Sequence, residues 1–147
     1  MAKIKFYKKI KFTLIFIFLI FFFFEITLRA LTIEYPIFQK HDVDRGFSLL
    51  ENSKGKWRRE GFGKVIINSD GLRDLEHKIK KPDSTLRIAI LGDSFAEARS
   101  VNVENTFWFK LRDNLELCKN FHKGKKIEVI NFGVSEYSTT QQFITLK

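Results

Sequence analysis

The thirteen-residue run Phe12 to Phe24, FTLIFIFLIFFFF, constrains this chain more than any other feature. It carries no charge and is rich in phenylalanine, which suits a lipid-facing helix better than a soluble core element. The apolar character continues through EITLRALTI, so the expected helical stretch Phe12 to Ile33 rises about 33 Å and is long enough to cross a bilayer. Glu25 and Arg29 lie four apart and can pair on one face near its far end.

The flanks supply an orientation. Lys3, Lys5, Lys8, Lys9 and Lys11 precede the run with no acidic residue among them, and the positive-inside rule leaves such an end in the cytoplasm. The expected organisation is a cytoplasmic basic segment (1–11), a transmembrane helix (12–33), a membrane-proximal connector (34–85) and an α/β region (86–147). That places the protein as a single-pass component of the inner (cytoplasmic) membrane with its C-terminal part outside. A basic start followed by an apolar run also fits a cleaved signal peptide, although a small-residue cleavage site is missing.

Net charge is +9, but the five N-terminal lysines account for more than half of it and the remainder holds only +4. The basic runs SKGKWRRE (53–60) and KNFHKGKK (119–126) extend along no helix and match no nucleic-acid fold signature, so they read as solvated loops and nucleic acid is not an expected partner. The single Cys118 sits at helical spacing from Leu111 and Leu115 and reads as a core thiol. No Cys/His cluster has metal-ligand spacing and no glycine-rich phosphate loop occurs, so no cofactor or metal is expected.

Within the connector, Val65 to Ile67 reads as a short strand, and Asn68-Ser69-Asp70-Gly71 is turn chemistry with Gly71 free to take positive φ. From Leu86 the texture changes. LRIAIL reads as a buried strand, Phe107, Leu111, Leu115 and Cys118 form a helical stripe, and KIEVINFG supplies a second strand. STTQQFITLK then opens a second helix, with Ser138 as N-cap and a glutamine three residues on. This alternation is the grammar of a parallel α/β sheet.

The first strand runs into Gly92-Asp93-Ser94. A serine there stands at the carboxyl edge of the sheet, where open α/β folds bind ligands. Taken alone, the bare tripeptide reads first as a turn with a helix N-cap. The second strand ends in another glycine turn, at Gly133, on the same edge, and its backbone N–H can serve as an oxyanion donor.

In these two blocks the chain resembles the SGNH/GDSL hydrolases. ILGDSF is similar to that family's first block, whose serine is the nucleophile, and VINFGVSEYST to its second, whose glycine N–H helps hold the oxyanion. INSDGLRD and an anchor ending in FEITLRAL resemble the upstream segments of membrane-anchored bacterial members.

The resemblance implies Ser94 as nucleophile and backbone donor, Gly133 as second donor, Gly92 and Asp93 as the supporting turn, and a flavodoxin-like sheet of which these residues hold the first β-α-β units. It further implies a membrane-anchored serine esterase or acyl-transfer protein acting on an acylated envelope sugar or lipid. AEARSV and Glu136 depart from the family, which commonly has glycines there. The family's Gly-x-Asn-Asp block and late Asp-x-x-His do not occur, so the expectation is an N-terminal part of a longer protein that is inactive alone. The alternatives are a catalytically inactive membrane-tethered binding module and a non-functional truncated remnant. Asp74-Leu75-Glu76-His77 matches Asp-x-x-His but precedes the serine strand and reads as a surface loop; His41 belongs to the connector and His122 to the opposite edge of the sheet.

Overall fold

The computed structural model describes residues 2–31 and 36–147, which group into two units, 1–35 and 36–147. The first is a single helix, α1 (Ala2–Ala30). It begins well before Phe12, because the lysine-rich start has no helix breaker, and the expected end at Ile33 lies outside the described residues. The stretch Phe6–Ala30 is long and apolar enough to cross a membrane, as a signal sequence at the same position also is. Arg29 bonds Glu25 at 2.7 Å, the expected i,i+4 pair.

The second unit is mixed α/β and contains three two-stranded sheets. Two are antiparallel hairpins: β1 (Gln39–Asp42) with β2 (Gly46–Leu49), and β3 (Lys54–Trp57) with β4 (Gly63–Ile66). The third pairs β5 (Thr85–Ile90) in parallel with β6 (Lys126–Asn131), Leu86 opposite Ile127 and Ile88 opposite Val129. Between these two strands run the single turn α2 (Ser94–Glu97), a 3-10 turn at Val103–Asn105, α3 (Phe107–Leu117) and α4 (Lys119–His122); α5 (Thr139–Leu146) follows β6.

Period-two alternation aims Leu86, Ile88, Ile90, Ile127 and Val129 at one face of the parallel pair, where Trp108, Phe109 and Leu115 of α3 pack over them. The apolar stripe of α3 is rotated from the expected one. Trp108 is buried, while Phe107 is exposed and Cys118, beyond the last helical turn, is an exposed thiol instead of a core one. Arg87 and Glu128 stand opposite each other on the sheet's other face and pair at 2.9 Å.

The segment read as a connector carries both hairpins. Its Phe38, Leu49, Val65 and Ile67 form a core with Val134 and Tyr137 from the turn after β6, so residues 36–85 and 86–147 share buried surface. Tyr137 donates its hydroxyl to the Phe47 carbonyl at 2.7 Å. The Asn68 to Gly71 turn forms as expected, with Gly71 at φ +73° and Asn68 Oδ1 accepting from the amides of Asp70 and Leu72. The box at α5 also forms: Gln141 reaches back to the Ser138 amide at 2.8 Å.

Candidate functional site

β5 ends at Ile90, and three residues later the chain turns into α2. Asp93 caps that turn by accepting the Phe95 amide on its side chain at 3.0 Å. Ser94 is the first helical residue, with an exposed side chain at the carboxyl end of the strand. In a first helical turn its own N–H has no intrahelical carbonyl to meet. The turn closes at Ala98, held in the left-handed region at φ 52°.

Two glycines seat this turn. A Cβ on Gly92 would lie 2.7 Å from the Ala96 methyl, and one on Gly133 only 2.4 Å from it and 2.9 Å from the Glu97 amide nitrogen. Both strand-end turns therefore touch α2 through bare backbone, which puts the Ser94 and Gly133 blocks side by side. The Gly133 N–H is taken: it donates to Asn131 Oδ1 at 3.0 Å.

Asn131 organises more than that amide. Its side-chain nitrogen donates to the carbonyls of Ala96 at 3.0 Å and Arg73 at 3.2 Å, and its backbone N–H donates to Asp74 Oδ2 at 2.7 Å. Arg73, 1% exposed, donates to the carbonyls of Glu97 and Val101. Burial pulls its guanidinium down to about 10, against the opposing attraction of Glu97. Glu97 is fully buried and accepts from the Ser135 amide at 2.6 Å and from Arg99. The Arg99 guanidinium in turn lies 5.3 Å from the rings of both Phe38 and Trp57.

The Asp74 to His77 stretch is a loop with Leu75 and Glu76 exposed, as expected, but its first residue turns inward. Asp74 is buried against the end of β6, where desolvation raises its carboxyl pKa despite amide bonds from Asn131 and Leu75. His77 Nε2 lies 3.3 Å from Asp74 Oδ2, and its ring lines a groove of about 320 Å³ on the open face of the parallel sheet, with Arg87, Ile130 and Phe132. Ser94 does not line that groove. His41 is exposed on β1 and His122 ends α4, ahead of the amino end of β6. Among the described residues, no hydrogen bond joins an imidazole to the Ser94 hydroxyl.

Arg73, Glu97 and Asn131 are the residues that sequence reasoning did not single out. The available signals are short ones: the charged pair Arg73-Asp74 stands between Leu72 and Leu75, Glu97 between Ala96 and Ala98, and Asn131 between Ile130 and Phe132. Compared with known proteins, the chain matches no family model, no curated protein and no solved structure.

Proposed function

We propose that this chain carries the nucleophile-bearing part of an SGNH/GDSL-type serine esterase or acyl-transfer protein, anchored by α1 and acting outside the cytoplasmic membrane on an acylated envelope sugar or lipid. One observation carries the reading: an exposed serine opens a capped helical turn at the carboxyl end of a parallel strand, and the glycine turn of the neighbouring strand packs directly under it.

In this mechanism Ser94 Oγ attacks an ester carbonyl, the alcohol leaves, and the acyl group on Ser94 passes to water or to a second hydroxyl. The Ser94 N–H, and the Gly133 N–H once Asn131 Oδ1 yields it, stabilise the oxyanion. The base that takes the serine proton comes from outside the residues near Ser94, because a serine hydroxyl without one is a poor nucleophile.

The internal bond from Gly133 to Asn131 favours a second reading, a catalytically inactive membrane-tethered binding module in which the glycines serve packing alone. Labelling by a serine-directed fluorophosphonate, in the native membranes and with wild type beside Ser94→Ala, separates the two. Labelling and ester hydrolysis that both vanish in Ser94→Ala support the esterase; an unlabelled Ser94 in folded protein supports the binding module.

A further inference from the structure

The β3–β4 hairpin concentrates charge of one sign. Between Lys54 and Lys64 it holds Lys54, Lys56, Arg58, Arg59 and Lys64 against the lone acid Glu60. Register sets Lys56 directly opposite Lys64 on the outward face. Beside these cations stand large apolar side chains with no core to enter: Ile66, 63% exposed and opposite Lys54, and Phe62, 53% exposed at the tip. The inner face of the hairpin is committed elsewhere. Val65 is fully buried, and Gly63 packs against the carbonyls of Arg99 and Val101 so closely that a Cβ would lie 2.4 Å from the first. Lys64 N–H donates to Asn102 Oδ1 at 2.9 Å, so the outward face is held on a rigid support.

We infer that this outward face is a contact for the anionic phosphates of a lipid surface, with Lys54 and Lys64 meeting headgroups while Phe62 and Ile66 enter the interface. Cations interleaved with exposed apolar side chains match a surface that is charged outside and apolar just below. A nucleic acid has charge to offer these cations but no apolar layer for Ile66. The chain itself supplies the proximity, since Pro36 follows within six residues of the end of a helix able to cross a membrane. The inference is independent of any chemistry at Ser94.

The test is amide hydrogen exchange on the full chain in nanodiscs of phosphatidylcholine alone or of phosphatidylcholine mixed with phosphatidylglycerol. Exchange across residues 54–66 is expected to be slower in the anionic discs and to recover in high salt. In the variant Lys54→Gln/Lys64→Gln the slowing should fall about 25-fold, at about fivefold for each cation lost near a charged surface. Exchange in β5 and β6 reports whether the variant is folded; if it is not, the two disc types compared with wild type decide alone. Equal exchange in both discs overturns the inference. Equal slowing produced in neutral discs by inorganic phosphate or by duplex DNA overturns it as well, and assigns the face to a soluble anion or to nucleic acid.

Discussion

Gly133→Ala tests the seat of the Ser94 turn directly. The new methyl would stand 2.4 Å from the Ala96 Cβ and 2.9 Å from both the Ala96 carbonyl carbon and the Glu97 nitrogen. Two of those three neighbours are backbone and cannot rotate aside, so the cost belongs at the upper end of the overpacking range, about 3 kcal/mol. With a urea dependence of about 1.5 kcal/mol per molar for a domain of this size, the unfolding midpoint should drop by about 2 M. Intrinsic tryptophan fluorescence of the full chain in detergent suits the measurement, because Trp108 is buried and donates its indole N–H to the Ala96 carbonyl.

Gly124→Ala is the control. Gly124 has φ +77° with nothing within 4 Å of its added methyl, so only backbone strain of about 1 kcal/mol is expected there. Adding Ala96→Gly to Gly133→Ala removes the shortest contact but leaves the two at 2.9 Å, and should recover part of the loss. A Gly133→Ala midpoint no lower than that of Gly124→Ala would refute the tight packing of the two turns.

Glu97→Ala leaves Arg99 beside the Phe38 and Trp57 rings without its carboxylate and the Ser135 amide without an acceptor, and should cost about 3 to 5 kcal/mol in the same urea titration. A loss under about 1 kcal/mol would mean that water compensates the pair. Asp74 predicts a pH dependence. Burial raises its folded pKa above the ordinary 3.8, so the native state holds the proton more tightly than the unfolded chain, and its contribution falls as pH rises from 3.8 through the raised value. The stability of wild type relative to Asp74→Asn should therefore decline with rising pH across that window; a flat or rising difference would contradict the burial argument.

The parts of the fold that were legible in the sequence are local ones. The Asn68 to Gly71 turn, the Ser138 and Gln141 box and the two glycine-terminated strands each depend on residues a few positions apart, where side-chain chemistry speaks for itself. The hairpins were harder. QKHD and KGKW show no apolar alternation, because β1 has little to bury and Gly55 of β3 lies against Pro36 and Phe38 without a side chain of its own. The α3 stripe was misplaced because three aromatic or apolar residues in succession, Phe107-Trp108-Phe109, leave the phase of the helix open. Cys118 then fell beyond the last turn, where α3 ends and α4 begins. At the candidate site the serine and its cap could be read directly. Arg73 to Glu97 and Asp74 to Asn131 span 24 and 57 residues, and only the folded topology brings such partners together.

Asn131 has a consequence for how the molecule opens. One side chain and its amide join the end of β6 to residues 73–74, to α2 and to the Gly133 turn, with all of these bonds buried. Segments linked in this way cannot fray one at a time, since releasing any of them strands a polar group out of reach of water. Residues 73–74, the Ser94 turn and the strand ends should therefore open as one cooperative block, a single foldon whose amides exchange with a common free energy. Motion that exposes the Gly133 N–H must then disturb the bonds that hold Arg73 and Asp74, coupling the Ser94 edge of the sheet to a segment that precedes it in the chain.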